Sequence, residues 1–509
     1  MYKPAAIPDI LEYNASAFPE RIAFINRDGG SFSFSQLYAH SRFVAGELGL
    51  LRLSGRAAAI IGEVTYCGLT AMLGCLMSAV PFIVPDPALS DEELAGMLSD
   101  MDVGAVFYSA KRKDRAEAIG SLIHDVLLIP EFEQLFPAEN FSACPDLPGS
   151  TADDPAFTFF TATKKAVVLS HKNICTALYS VANALDISSY TFLSPAVWGN
   201  AFDCVIGLLL PLYAGCGVVK RGEKRSVARA IAESGATALT CTPERLRSLE
   251  KTLRSRSAKV FGKAKTLLPD ILGAAMRAVG IGTGKRTFRR IHSLMGDNLK
   301  IIICGGAYPD RDCIRQFLNW GFDVYNCYFL TECGAVAMSA VPGGRPVPLT
   351  ELEIYPTVGD YGEIQLCGDS IADCYFGGKE LPRPFRTGDI GRLYEDGTLE
   401  ISGKRRTMLM SGEGAPVFPE EIAAVLCRSR YISRCTISGR FDTGTAGILV
   451  SASVTPDYRA VASALGQKYS ENRLRLFLGR ELEKLSPQLP HKINDFRLVG
   501  KGSEKGLVK

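Results

Sequence analysis

The chain has 509 residues, 47% hydrophobic and 22% charged, with a formal net charge of +3. That length and apolar content suit a sizeable buried core in two or more domains, while the charge by itself excludes little. Fifteen cysteines include no Cys-x-x-Cys pair, and several, such as Cys67, Cys75 and Cys304, lie in apolar runs; they read as reduced, buried thiols of a cytosolic protein, giving neither a disulfide framework nor a zinc site.

Met1 to Asp9 carries two prolines and no long apolar core, so it does not read as a signal peptide. Tyr66 to Pro85 is an uncharged run of twenty residues, but Gly68, Gly74 and Pro81 interrupt it. It is expected to form a helix to about Ala79 followed by a buried strand from Pro81 to Pro85, and no transmembrane segment. Further along, Ala156 to Phe160, Leu299 to Ile303 and Phe322 to Tyr325 read as strands, with Arg311 to Trp320 an amphipathic helix joining the last two. Strand, helix, strand in short order argues for an α/β fold of parallel sheets with helices outside. After Tyr361 the pattern changes to short strands with turn signals such as Glu395-Asp-Gly397, a hairpin or small β-barrel-like region. There are no internal repeats or low-complexity segments.

The most informative stretch is Tyr328-Phe-Leu-Thr-Glu332. An aromatic ring can stack on adenine, a threonine hydroxyl can reach an α-phosphate, and a glutamate can hold the Mg²⁺ that neutralises charge as pyrophosphate leaves. Arg386-Thr-Gly-Asp-Ile-Gly391, Gly403-Lys-Arg-Arg406 and Phe418-Pro-Glu-Glu-Ile422 follow. In this order and spacing the motifs resemble those of the AMP-forming superfamily of acyl-CoA synthetases, luciferases and peptide-synthetase adenylation domains, over nearly the whole chain. The run Phe288 to Ala307 looks most like the long-chain fatty acyl-CoA synthetase branch.

The resemblance implies an adenylation domain at 1–402, with parallel sheets, flanking helices and the barrel-like region, and a small mobile α+β lid at 403–509, hinged near Gly403 to Thr407. It implies ATP and Mg²⁺, a small-molecule carboxylic acid as substrate, and the thiol of CoA or of carrier-protein phosphopantetheine as acceptor. Thr331 and Glu332 would be catalytic, Glu332 also holding the metal. Tyr328, Gly305, Gly306 and Ala307 would line the nucleotide pocket. Asp389 would accept from both ribose hydroxyls, with Lys404 beside it where the family has arginine. Trp198 and Phe202 would line the acyl pocket, which suits a fatty or aromatic acid better than an amino acid.

Departures from the pattern accompany these matches. Before Val167-Val-Leu-Ser-His171 the family has a glycine-rich phosphate loop; here the segment is Thr161-Ala-Thr-Lys-Lys-Ala166, four residues shorter and glycine-free. Such a loop cannot wrap backbone N–H groups around a triphosphate in the same way, and leaves Thr161, Thr163, Lys164 and Lys165 as donors. Phe329 replaces the signature glycine, and Thr407 the hinge aspartate. The turn Ser411 to Pro416 is one residue longer than usual. Near the C-terminus an ungapped alignment puts Gly506 at the catalytic-lysine position; a one-residue register change assigns Lys505, which otherwise is a solvated tail lysine. A second reading therefore stands beside the ligase: a catalytically silent relative that binds a nucleotide or acyl group as sensor or scaffold.

Other motifs lead nowhere. Gly280-Ile-Gly-Thr-Gly-Lys-Arg-Thr287 is one residue short of a phosphate-binding Walker loop and has Arg286 where Ser or Thr is needed. The five histidines show no ligand spacing, and His171, after Ser170 at a predicted helix start, suits a capping or structural role. From Lys251 to Arg290 there are eleven Lys or Arg and one acid, Asp270. This is either a solvated helix face or a dock for an anionic membrane surface or an acidic acyl carrier protein. No aromatic platform accompanies it, so nucleic acid is not expected. The expected location is cytoplasmic, with peripheral membrane contact through that segment.

Overall fold

Ile301-Ile-Ile-Cys-Gly305 is buried at all five positions, as a run with no polar side chain demands of a central parallel strand. The structure, a computed structural model, describes residues 2–499 apart from 27–28, 52, 54, 87–88, 131–148, 188–189, 195–198, 221–225, 262–271, 277–287, 309–310, 340–346, 359, 412–414 and 443–446. Contacts divide the chain into two units, Met1–Glu351 with Cys367–Phe385, and Leu352–Leu366 with Arg386–Lys509.

The first unit holds two large sheets. One has nine strands, in which Ile22–Ile25, Gly217–Lys220, Thr191–Ser194, Ala238–Cys241, Ile301–Gly305 and Asp323–Leu330 lie side by side and parallel. The expected strand at Leu299 begins two residues later, and the helix between it and the next strand is Arg311–Asn319. That helix buries Cys313, Ile314, Phe317 and Leu318, one helical face, in a core with Trp320 and Phe322. His292 completes the core, stacked on Phe322 at 4.0 Å with Nε2 2.9 Å from the Trp320 carbonyl oxygen.

The second sheet has eight strands. Pro155–Phe160, Phe82–Ile83, Ala57–Ile61, Val103–Tyr108 and Leu127–Pro130 are parallel neighbours, and Ala166–Ser170 returns antiparallel beside Pro155–Phe160. The uncharged run at Tyr66 resolves into a helix, Tyr66–Met77, buried along its whole length, and the short strand Phe82–Ile83. A helix apolar on every face belongs inside a protein core or a bilayer, and here the core takes it. Gly74 lets it approach the helix Phe34–Leu50, since a Cβ there would sit 2.6 Å from Val44 Cγ1. Among the described residues no helix is long and apolar enough to cross a membrane.

The second unit has a four-stranded sheet of Glu351–Val358, Tyr361–Cys367, Phe385–Leu393 and Leu399–Lys404. The predicted turn joins the last two: Gly397 has φ +78°, and Thr398 N–H donates to Asp396 Oδ1 at 3.0 Å. After it come the helix Pro419–Leu426 and a three-stranded sheet of Ile432–Asp442, Gly447–Pro456 and Asp495–Leu498, packed with the helices Tyr458–Leu465 and Glu471–Leu485. Contacts group the four-stranded sheet with these C-terminal elements, whereas the division expected at 402/403 concerns which part pivots.

Ser170 caps the helix His171–Ala184: its Oγ accepts from Asn173 N–H at 3.3 Å, and Asn173 Oδ1 accepts from Ser170 N–H at 2.8 Å. His171 is fully buried, and its Nδ1 accepts from Ile7 N–H at 3.2 Å. Nε2 must then carry the ring proton, and it has no partner among the described residues. Burial pushes this imidazole down from 6.5 to about 4, so it is neutral at physiological pH. Between those values the unfolded chain binds more protons than the folded one, so stability is full above pH 6.5 and falls as the pH drops towards 4. The loss is expected to reach about 3 kcal/mol. Urea midpoints at pH 7 and pH 5 check this: His171→Gln should lose less than wild type on acidification, and equal losses would assign the acid sensitivity elsewhere.

Candidate active site

The parallel strand Asp323–Leu330 reverses into Gly334–Met338 through a turn in which Cys333 N–H donates to the Leu330 carbonyl at 3.2 Å. Gly334 has φ +67°, and a Cβ there would fall 2.8 Å from Ala177 Cβ, so glycine is needed for both backbone and space. Thr331 and Glu332 stand at the tip. The ladder slips between Tyr328, opposite Ala337, and Phe329, opposite Ala335, a bulge that re-aims the side chains next to the tip.

Glu332 is tied twice to the segment that enters the second sheet at Cys374–Tyr375. Its carbonyl accepts from Ala372 N–H at 2.8 Å, and its Oε1 accepts from the Tyr375 hydroxyl at 3.3 Å. Tyr375 pairs with Val167, and Phe376 N–H donates to the Ala166 carbonyl at 2.9 Å, so the tyrosine is held to the strand that follows the Thr161 to Lys165 loop. The Lys165 ammonium lies 5.1 Å from the centre of the Tyr375 ring. Burial first, and then the Glu332 charge, push the phenol up to about 12, which keeps it a protonated donor. Tyr375 thus brings together the loop lysine and the signature glutamate. Sequence reasoning missed it, because its two-residue strand has no periodicity; an aromatic residue before Gly377-Gly378 is the only signal.

The loop itself is a tight hairpin turn. Thr161 N–H donates to the Lys165 carbonyl at 2.9 Å, Lys164 N–H to the Thr161 carbonyl at 2.8 Å, and Lys165 N–H to Thr161 Oγ1 at 3.1 Å. Lys164 adopts φ +62° to close the turn, and Thr161 and Thr163 hydroxyls lie 3.0 Å apart. These three backbone donors are therefore spent on the turn. Lys164 Nζ reaches Glu93 Oε1 at 2.8 Å, an exposed pair, and that hydrogen bond holds the Glu93 carboxyl below its usual range.

The diglycine at the end of Ile301–Gly305 is covered by Phe202. A Cβ on Gly305 would lie 2.7 Å from Phe202 Cε2, and one on Gly306, at φ +79°, would lie 3.0 Å from Phe202 Cγ. Gly306 and Ala307 are exposed, whereas Phe202 is fully buried. Trp198 and Lys505 lie outside the described residues, as do most of the basic residues after Lys259.

Within the second unit, Asp389 and Lys404 are cross-strand partners, and Lys404 Nζ lies 2.6 Å from Oδ1 of the buried Asp389 carboxylate. Thr387 Oγ1 accepts from Asp389 N–H at 3.0 Å within the same strand. Thr407 lies within hydrogen-bond reach of Glu420 Oε1, at 2.7 Å, and of the Lys404 carbonyl, at 3.0 Å. An aspartate in its place would set a second carboxylate against Glu420, which gives a local reason for threonine here.

Among the described residues no group of three or more His, Cys, Asp or Glu is placed to hold a metal ion. A lone carboxylate at Glu332 fits Mg²⁺, which is commonly held by one or two carboxylates with phosphate and water completing the shell.

Two large sheets with flanking helices and a C-terminal α+β part are the architecture of the AMP-binding enzyme superfamily. Residues 11–376 match the model of the AMP-binding enzyme family, and the chain belongs to that family. It is 29% identical to a 2-succinylbenzoate–CoA ligase of Lactococcus lactis over 163 residues, covering 30% of this chain and 35% of that protein. It is 26% identical to long-chain-fatty-acid–CoA ligase 6 of Mus musculus over 244 residues, 43% of this chain and 33% of that protein. The matched stretches thus span about a third of the length of these curated relatives. Among solved structures, o-succinylbenzoate CoA synthetase from Bacillus subtilis with its acyl-adenylate intermediate superposes at TM-score 0.72 and 20% identity, covering 97% of this chain and 94% of that one. The same enzyme with ATP and magnesium gives 0.71 at 20% identity, covering 96% and 95%. A Mycobacterium tuberculosis fatty acyl CoA synthetase gives 0.64 at 19%, covering 97% and 94%. At these identities the likeness is one of fold.

Because the two ammonium groups carry all of the loop's charge, replacing both Lys164 and Lys165 with alanine is expected to weaken ATP about tenfold or more. AMP, which has no β- or γ-phosphate, should change little. Calorimetric titration checks this, and equal losses for the two nucleotides would leave the lysines a role in the hairpin alone.

Proposed function

We propose that the chain is an AMP-forming acid:thiol ligase acting on a carboxylic acid of fatty or aromatic character. The observation that carries the reading is Tyr375, which joins the Glu332 tip to the Lys165 loop within one unit. In the first half-reaction a carboxylate oxygen of the acid attacks the α-phosphorus of ATP, and the bond to the bridging oxygen breaks as pyrophosphate leaves. Thr331 donates to the α-phosphate, Tyr328 stacks on adenine, and Lys164 and Lys165 meet the departing phosphates. Mg²⁺, when bound, neutralises charge on those phosphates, and Glu332 holds it. Asp389 accepts from the ribose hydroxyls, with Lys404 as its cationic partner. Gly305, Gly306 and Ala307 form the floor between nucleotide and acyl group, and Phe202, with Trp198, the acyl wall. In the second half-reaction the thiol sulfur of CoA, or of a carrier protein's phosphopantetheine, attacks the acyl carbon and loses its proton as AMP leaves.

The part that pivots between the half-reactions is 403–509, with Lys505 supplying the cation that bridges carboxylate and α-phosphate. The basic segment 251–290 is the docking face for an acidic carrier protein or an anionic membrane surface. Of its described residues, Arg254 and Arg256 are engaged locally, with Glu250 and Ser226, while Arg289 and Arg290 are exposed.

A second reading, a silent relative that binds nucleotide or acyl group without turnover, is favoured by one observation, the self-satisfied hairpin at Thr161 to Lys165. Acid-dependent exchange of pyrophosphate into ATP separates the two. The ligase reading expects exchange with at least one of acetate, hexanoate, benzoate and palmitate, and its reduction by about a hundredfold or more in Glu332→Gln, as for loss of a group that stabilises developing charge. Folded wild-type protein with AMP affinity but no exchange across the acids would select the silent reading.

A further inference from the structure

The hold on Glu332 is itself held from behind. Both of its partners, the Ala372 N–H and the Tyr375 hydroxyl, belong to one stretch, Gly368 to Tyr375, of which only Cys374–Tyr375 is strand. Two side chains from elsewhere gather the carbonyls of that stretch. Asn173 Nδ2 donates to the Asp369 carbonyl at 2.8 Å and to the Ile371 carbonyl at 3.0 Å, while its Oδ1 serves the helix cap at Ser170. Arg383 reaches three acceptors. Its Nη1 donates to the Gly368 carbonyl at 3.3 Å, and its Nη2 to the Ile371 carbonyl at 3.3 Å and to Asp373 Oδ1 at 2.7 Å.

Ile371 and Asp373 flank Ala372, so the guanidinium grips the chain on both sides of the N–H that meets the Glu332 carbonyl. The fork is planar and rigid, which suits it to fixing a direction. Stability is a poor account of the arrangement: the Arg383 and Asp373 side chains are 45% and 75% exposed, and ion pairs that exposed contribute little to folding. Ile371 and Ala372 themselves are fully buried, so the core keeps the stretch in place while the fork sets how it faces the hairpin tip.

We propose that Arg383 is a positioning residue for the Glu332 carboxylate: by clamping the backbone around Ala372 it aims the hairpin tip, and with it the carboxylate that fits the magnesium of Mg·ATP. It touches neither nucleotide nor metal and acts through Ala372 and Tyr375. The inference rests on the ligase reading for the role of Glu332.

A double-mutant cycle tests it by binding, without turnover. Affinities for ATP with and without Mg²⁺, and for AMP, are measured calorimetrically on wild type, Arg383→Ala, Glu332→Gln and the double variant, after thermal melts have shown each folded. Arg383→Ala should cut the gain in ATP affinity that Mg²⁺ brings by about tenfold, the scale for losing a group that orients a metal ligand, and leave AMP unchanged. In the Glu332→Gln background the same substitution should change nothing further, because the carboxylate it serves is gone. If the alanine variant does not fold, Arg383→Lys carries the comparison, since an ammonium lacks the planar fork. An unchanged magnesium gain in the Arg383 variant, or losses that add in the double variant, overturns the proposal. Equal weakening of ATP and AMP also overturns it, by making Arg383 a general support of the fold. A Glu332→Gln variant that keeps the full magnesium gain refutes the metal assignment of the ligase reading and the proposal together, whereas a loss in Glu332→Gln alone leaves that reading standing and sinks only the role of Arg383.

Discussion

The hairpin at Thr161 to Lys165 sets the terms for the rest of the site. A turn this short closes only by hydrogen-bonding three of its own backbone N–H groups and by driving Lys164 into the left-handed region. Those three donors are then unavailable to a polyphosphate, and what remains is the backbone N–H groups of Ala162 and Thr163, a pair of threonine hydroxyls and two ammonium groups on long, flexible stems. With only two backbone N–H groups left at the tip, affinity for the β- and γ-phosphates is expected to come chiefly from charge, which acts over several ångströms and is screened by salt. Glu93 already competes for Lys164, so Lys165, anchored over the Tyr375 ring, is the better placed of the two.

Tyr375 converts this local economy into an organised site. One residue connects the antiparallel edge of the second sheet to the hairpin tip of the first, and burial beside Glu332 keeps its phenol protonated and donating. Just before the tip, Phe329 meets Phe202, which lies against the diglycine. The same short strand end thus carries Phe329 against Phe202 and, three residues on, Glu332 against Tyr375.

Much of the fold was legible because its signals are local. An uninterrupted run such as Ile301-Ile-Ile reads as a buried strand, the glycines and proline between Tyr66 and Pro85 divide that segment into helix and strand, and Ser170 announces the helix after it. The ordered motifs pointed to the family to which the chain belongs. What escaped were contacts between residues distant in sequence. Nothing near Tyr375 predicts that its hydroxyl finds Glu332, nothing near Asp203 predicts Arg245, and the loss of glycine at Phe329 reads as damage until Phe202 is seen beside it. The grouping of the four-stranded sheet with the C-terminal elements was equally hidden, since side-by-side packing of strands leaves no periodicity that would assign them to one unit or the other.

The central claim, that polyphosphate is held here by side-chain charge in place of a backbone cradle, is tested most directly by salt. Affinities for ATP and AMP are measured on the wild-type protein from about 50 to 300 mM salt, over which the Debye length shrinks from about 14 to 6 Å. The account predicts that the ratio of ATP to AMP affinity falls several-fold across that range, because only the charge-held phosphates respond. A ratio that stays flat would mean that directional hydrogen bonds bind the β- and γ-phosphates after all, and would contradict it.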